Sequence, residues 1–119
     1  MGEHNEFGKQ GEALAVAFLL NSGYEICAQN YRYQKAEIDI IARQGNVLAI
    51  VEVKSRKMGF LEDISTTINS KKKKLLVMAA DHYVQEMDLD VEVRFDVITV
   101  VQKGASFEID HLEDAFYFF

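Results

Sequence analysis

Glu37-Ile38-Asp39-Ile40-Ile41-Ala42, then Gly45-Asn46, then Val47-Leu48-Ala49-Ile50-Val51-Glu52-Val53-Lys54: the reading of this stretch decides the fold. Two runs rich in β-branched residues flank a Gly-Asn pair, a pattern that predicts a β-hairpin. With Gly45 and Asn46 as the turn residues, Gln44 faces Val47. Counting outward sets Ile40 opposite Val51, Asp39 opposite Glu52 and Glu37 opposite Lys54. Side chains alternate along a strand, so Ile38, Ile40, Ala42, Ala49, Val51 and Val53 share one face. The other face carries Ile41 and Ile50 near the turn, then Asp39 beside Glu52, then Glu37 beside Lys54.

Like charges placed opposite one another in a sheet repel, so the Asp39 and Glu52 carboxylates need a compensating charge. A divalent cation supplies it. Hard cations such as magnesium take carboxylate oxygens at about 2.0–2.1 Å and keep several waters, so two or three convergent carboxylates suffice. A one-residue slip would put Glu52 on the opposite face from Asp39, and the metal reading therefore depends on the register. The same pattern also fits a half-exposed sheet edge that carries Glu and Lys for solubility.

Around the hairpin, 119 residues suffice for one domain, residues 1–119, with a single real core. A hydrophobic share of 49% with 27% charged residues argues against disorder. The lone Cys27 cannot form an internal disulfide, which points to a reducing compartment. Met1 to Gln10 is polar without a basic start, unlike a signal peptide, and no apolar run reaches membrane-spanning length. A soluble cytoplasmic protein with no membrane partner is expected. The net charge of −6 counts against a broad phosphate-gripping surface, although carboxylates clustered at a metal site contribute to it.

In chain order, Asn5 to Ser22 reads as a helix with Phe7, Gly11, Leu14 and Phe18 along one stripe, broadened by Ala15, Ala17 and Leu20. Gly23 terminates it. Gly8 and Gly11 permit close approach to another backbone, and Glu12 lies at the border of the apolar stripe. Tyr24 to Tyr33 predicts a first strand, irregular around Ala28-Gln29-Asn30. Ser55 to Gly59 forms a short basic exit from the hairpin, and Phe60 to Asn69 reads as a loop. A second helix runs from near Ser70 to about Met87, burying Leu76, Ala80, Tyr83 and Met87 with Leu75 and Ala79 alongside.

The first turn of that helix is Lys71-Lys72-Lys73-Lys74, and cations there oppose the helix dipole. The run reads either as a solvated turn or as a phosphate-facing patch beside Arg56 and Lys57. Val91 to Val101 predicts a strand buried on both faces in its second half. A turn at Gly104, a short strand from Ser106 to Asp110 and an aromatic tail, Ala115 to Phe119, complete the chain. So apolar a tail is expected to pack on the domain or on a second copy. His4, His82 and His111 lack zinc spacing, and neither a Gly-rich phosphate loop nor a serine nucleophile elbow is present.

With Glu12, Asp39, Glu52 and Lys54 in view, the chain resembles the PD-(D/E)xK nuclease superfamily. More closely, it resembles the YraN-like proteins, a bacterial group related to archaeal Holliday-junction resolvases. The resemblance runs through Gly11-Glu12 with Ala15, Phe18 and Leu19, Gly23-Tyr24, Asn30-Tyr31-Arg32, Glu37-Ile38-Asp39, Val51-Glu52-Val53-Lys54 with Arg56, a lysine of the 71–74 run, Arg94-Phe95-Asp96-Val97 and Ala115-Phe116. Three positions depart from the pattern. Ala36 stands for the usual glycine, no proline precedes the second helix at Asn69-Ser70, and Ile38 stands where the superfamily's namesake proline falls.

The resemblance implies an α/β, restriction-endonuclease-like three-layer fold with a central mixed β-sheet and an α-β-β-β-α-β core. It implies Asp39 and Glu52 as ligands of Mg or Mn, with Glu12 completing the metal site directly or through water. Lys54 would orient the attacking water or steady phosphate charge, and Glu37 would support the ligands while pairing with Lys54. Arg56, Lys57, Lys71 and Lys72 would contact phosphates. The implied function is a metal-dependent endonuclease hydrolysing phosphodiester bonds in structured or branched DNA, in preference to RNA. By analogy, junction recognition implies a homodimer. The alternatives are a non-catalytic nucleic-acid-binding or assembly module that retains the fold, and a protein-interaction domain that uses the aromatic tail.

Overall fold

The Gly45-Asn46 turn sets the register on which the sheet is built. Gly45 has a φ of +63°, a conformation open to glycine at little cost. On either side of it β2 (Ala36–Gln44) and β3 (Val47–Lys57) pair antiparallel, from Gln44 opposite Val47 to Ile40 opposite Val51, as the sequence predicts. The structure is a computed structural model that describes residues 6–58 and 69–116.

β1 (Glu25–Tyr33) lies antiparallel along the other side of β2, with a register shift between Ile26 and Ala28 and a φ of +52° at Asn30. This is the expected irregularity. α2 (Ser70–Glu86) is a crossover helix, and it returns the chain as β4 (Glu92–Lys103), parallel to β3 with Val51 beside Asp96 and Glu52 beside Val97. β5 (Ser106–Leu112) then pairs antiparallel with β4. The result is one mixed sheet in the order β1-β2-β3-β4-β5.

Helix α1 (Glu6–Asn21) covers one face of the sheet and α2 the other. The fold is therefore α/β, with the α-β-β-β-α-β order followed by one more strand. It is compatible with the three-layer restriction-endonuclease-like arrangement.

Alternation along the hairpin feeds the two cores. Ile40, Ala42, Ala49 and Val51 join Ala15 and Leu19 of α1, together with Ile98 and Val100. Ile41, Leu48 and Ile50 join Leu76, Ala79, Ala80 and Tyr83 of α2, together with Phe95 and Val97. Ile38 breaks the expected alternation and belongs to the α2-side core. It lies beyond the last β2–β3 pair, where β2 follows β1 alone and is released from β3's pleat. Two helix assignments also change. Leu20 and Met87 are each 55% exposed, while Leu19 is fully buried in Leu20's stead. Met87 caps the end of α2 and so leaves its apolar stripe.

Gly11 is where α1 meets the sheet. A Cβ there would lie 1.9 Å from Ser55 Oγ and 3.1 Å from Ser55 Cβ. The hydroxyl can rotate away from a single methyl group, but a branched side chain would push the helix off β3. Gly11→Val is expected to lower stability by roughly 2–3 kcal/mol, measured by denaturant titration. An unchanged midpoint would show that this contact is not tight.

The start of the aromatic tail packs on the domain. The Ala115 amide donates to the Phe95 carbonyl at 2.7 Å, and the buried Phe116 ring stacks on Phe95 with centroids 5.1 Å apart. Residue 59 of the expected basic exit, residues 60–68 of the loop expected over 60–69, the tail's end at 117–119 and the segment 1–5 with His4 lie outside the described residues. Among the described residues, no helix is long and apolar enough to cross a membrane.

Candidate active site

β2 and β3 pair as far as Ile40 and Val51, and one residue further on the ladder gives way to a side chain. The Val53 amide donates to Asp39 Oδ2 at 2.8 Å, so the Asp39 carboxylate occupies the point where the strands part. Glu52, on the same face of β3, is only 6% exposed. Alternation along both strands aims the two carboxylates at the α2 layer, as the register requires.

Two lysines hold Glu52. Lys54 lies 3.2 Å and Lys72 2.5 Å from the same oxygen, Oε2. Lys54 reaches it from two residues along β3, and Lys72 from the first turn of α2. The side chain of Asn69 caps that turn by accepting the Lys72 amide at 2.9 Å. The sequence carries this cap in plain form, since an Asn three residues before a helical amide is a strong N-cap signal. The cap fixes the start of α2 at Ser70, where the sequence predicts it.

These groups open onto a cavity of about 370 Å³ whose lining includes Lys35, Glu37, Asp39, Glu52, Lys71 and Lys72. Lys35, in the turn before β2, carries no motif signal. Only its approach to the cavity in three dimensions marks it.

The charge balance at the site is uneven. Burial, and next the charge of Glu52, push the Asp39 carboxyl up to about 7, with Glu12 adding to the rise while the Val53 amide and Lys72 oppose it. Among the described residues Glu52 has two ammonium partners, whereas Asp39 has one backbone amide and no cation touches it. A half-buried carboxylate so placed beside Glu52 suits a hard divalent cation, since two carboxylates with retained waters are a sufficient protein contribution for Mg or Mn. The donor set at Asp39 and Glu52 fits such an ion.

Glu12 stands apart from this pair. It lies on α1, half-buried, and accepts from the Asn30 side-chain amide at 3.3 Å. It is near enough for its charge to reach Asp39. However, no three His, Cys, Asp or Glu side chains among the described residues gather closely enough to hold a metal ion. Glu37 ion-pairs with Arg32 at 3.4 Å instead of with Lys54, whose partner is Glu52.

The expected phosphate-contacting residues divide between the two faces. Lys71 and Lys72 line the cavity. Arg56 follows Glu52 and Lys54 at the same strand parity, and its guanidinium donates to the Ser55 carbonyl at 2.9 Å. Lys57 has the opposite parity, and its ammonium lies 5.6 Å above the Phe7 ring of α1. The patch of Lys71, Lys72, Arg56 and Lys57 is thus not one surface. His82 stacks on Tyr33 with centroids 4.1 Å apart, in keeping with a structural role. Burial pushes the Cys27 thiol up, away from nucleophilic use.

A second polar cluster lies on the α1 face. Asp96 is 1% exposed and accepts from Arg94 Nε and Nη2, both at 2.9 Å, and from the Asp114 amide at 3.0 Å. His111 Nε2 lies 2.8 Å from Asp96 Oδ2, and Arg94 also donates to the Tyr24 hydroxyl at 2.6 Å. Its members are mutually satisfied, and they join β4 to β5 and to α1's exit.

Fold and site together define a small α/β protein with a cavity at the parting of a hairpin, lined by the carboxylates of Glu37, Asp39 and Glu52 and by Lys35, Lys71 and Lys72. The chain belongs to the family described as "Uncharacterised protein family UPF0102", whose model matches residues 11–100, and this is the YraN-like group that the motifs resemble. It is 50% identical to a UPF0102 protein of Christiangramia forsetii over the full length of both chains. It is 49% identical to one of Flavobacterium psychrophilum, again over the full length of both. A third, from Bacteroides thetaiotaomicron, is 45% identical over 98% of this chain and 97% of its own.

Proposed function

We propose that this protein is a metal-dependent nuclease that hydrolyses phosphodiester bonds in structured or branched DNA. The observation that carries the reading is half-buried Asp39 set beside buried Glu52 at a cavity rimmed by Lys35, Lys71 and Lys72. Asp39 and Glu52 would hold Mg or Mn, with Glu12 acting through water from α1. Such an ion lowers the pKa of its bound water and offsets charge on the phosphate, so no protein nucleophile is needed. Lys54, anchored on Glu52, orients the attacking water or steadies phosphate charge. Lys71 and Lys72 position the backbone without reading sequence, and Arg56 extends their reach on the same face. With an acidic chain overall, productive contact is confined to this lysine-rimmed opening, and a two-fold dimer suits a branched substrate.

Glu52→Gln keeps the shape of the side chain and removes its charge. Cleavage of branched, flapped or single-stranded DNA by the purified protein with Mg or Mn is expected to fall by at least about 100-fold in this variant. Cleavage that survives in Glu52→Gln would remove the proposed site.

One observation favours a non-catalytic nucleic-acid-binding module, namely that Glu52 already has two ammonium partners. In that case DNA binding falls steeply with salt and no metal elicits cleavage.

A further inference from the structure

Lys72 and Lys54 address the same oxygen of Glu52, but they are built differently. The Lys54 side chain is 14% exposed and rises from the strand that carries Glu52, so it has little freedom to leave. The Lys72 side chain is 39% exposed and comes from another layer of the fold. Its backbone is fixed by the Asn69 cap, while the side chain crosses the cavity mouth to make the shorter contact, 2.5 Å. Its charge is felt at Asp39 as well as at Glu52. One ammonium therefore acts on both carboxylates, on Glu52 by direct contact and on Asp39 through its charge. Lysine is suited to such an exchange, because its ammonium is a strongly hydrated point charge on a long stem.

We propose that Lys72 is a tethered counter-ion of Glu52 that competes with the metal for this carboxylate and is displaced into the cavity mouth when the metal enters. The inference rests on the metal reading of Asp39 and Glu52. Displacement is offset only in part by the water that the partly exposed ammonium regains, so it costs affinity, and the released charge then faces the side from which a phosphate would approach. Lys72 is thus a positioning residue with two stations, carboxylate and phosphate. The arrangement also explains how a helix tolerates four lysines in its first turn, where they oppose the dipole. Glu52 offsets part of that cost.

The test is calorimetric titration of Mn into the full chain and into Lys72→Met, Lys71→Met and Asp39→Asn. Lys72→Met retains the apolar stem and removes the competing ammonium, so Mn should bind about tenfold more tightly than to the parent. Lys71→Met removes the same charge from the same cavity without touching Glu52, and its affinity should stay within about twofold of the parent. Thermal denaturation gives a second readout, because Mn should raise the melting temperature more in Lys72→Met than in the parent. Lys72→Gln, with a neutral but polar head, serves if the methionine variant does not fold. Binding confined to Lys72→Met would support the inference in its strongest form. If the parent binds Mn, Asp39→Asn does not, and Lys72→Met binds no tighter than the parent or than Lys71→Met, the counter-ion role is wrong and the metal site stands. No Mn binding by any of the proteins would overturn both.

Discussion

Asp39→Asn is expected to make the metal-free protein more stable at pH 8, even though it removes a proposed metal ligand. In the folded chain, burial and the charge of Glu52 raise the Asp39 carboxyl to about 7, against 3.8 for a free carboxyl. A group raised on folding contributes stability that is complete below its unfolded pKa and is lost as pH rises through the folded value. Between about pH 4 and 7 the folded chain holds a proton that the unfolded chain has released, and above 7 folding must bury the charge. At 1.36 kcal/mol per unit, the difference at pH 8 is on the order of 2–4 kcal/mol. That corresponds to roughly 10 °C in melting temperature for a chain of this size. Asparagine keeps an oxygen for the Val53 amide, so the substitution removes the charge without orphaning the backbone donor.

The comparison is made on melting curves of parent and variant from pH 5 to 8 in chelator, with Mg added in a parallel set. The difference between them should widen with pH, and Mg should stabilise only the parent. A gap that does not change with pH would mean that Asp39 is not raised. A variant less stable than the parent at pH 8 would mean that the carboxylate is structural.

The hairpin was legible because its signals agree. A Gly-Asn pair, alternating β-branched residues and paired carboxylates admit one register, and Ile40 opposite Val51 is that register. From it followed the common face of Asp39 and Glu52, whereas the mixed sheet and its α-β-β-β-α-β order were implied by the family resemblance. What sequence could not supply was the destination of long side chains. Glu37 chooses Arg32 over Lys54, and Lys72 crosses between layers to reach Glu52. Both choices depend on how two strands part and where a helix lands, and neither leaves a periodic trace. Lys57 was misplaced for a simpler reason. Arg56 and Lys57 are successive residues of β3, and the strand's alternation turns them to opposite faces. His111 has neither motif nor spacing to commend it, and it acquires a role only because β5 lies beside β4 and sets it against Asp96.

That last contact underlies the largest loss of stability to be expected. Asp96 is buried and accepts from Arg94, His111 and the Asp114 amide, while Arg94 donates to Asp96 and the Tyr24 hydroxyl and has only the exposed Glu113, at 3.7 Å, as a further carboxylate among the described residues. Burial by itself would raise the Asp96 carboxyl, but the bonds from His111, then Arg94, then the Asp114 amide outweigh it and hold the carboxyl below its usual range. The sign is opposite to that of Asp39. The contribution is present above the ordinary carboxylate pKa and is lost as the pH falls through the lower folded value.

Asp96→Asn strips the charge from under Arg94 and turns an amide donor toward a cluster of donors. Breaking a buried pair from one side costs about 3–5 kcal/mol, chiefly through the charge left behind. Removing both partners, as in Arg94→Met with Asp96→Leu, leaves no orphaned charge, and it should recover part of that loss in a double-mutant cycle. Because Asp96 faces α1 while Glu52 and Asp39 face α2, Mn affinity measured well below the melting point should not change in Asp96→Asn. A loss smaller than about 1 kcal/mol would demote the cluster to surface-grade electrostatics. A double variant no more stable than the worse single one would show that the network stabilises through packing of β5 rather than through paired charge.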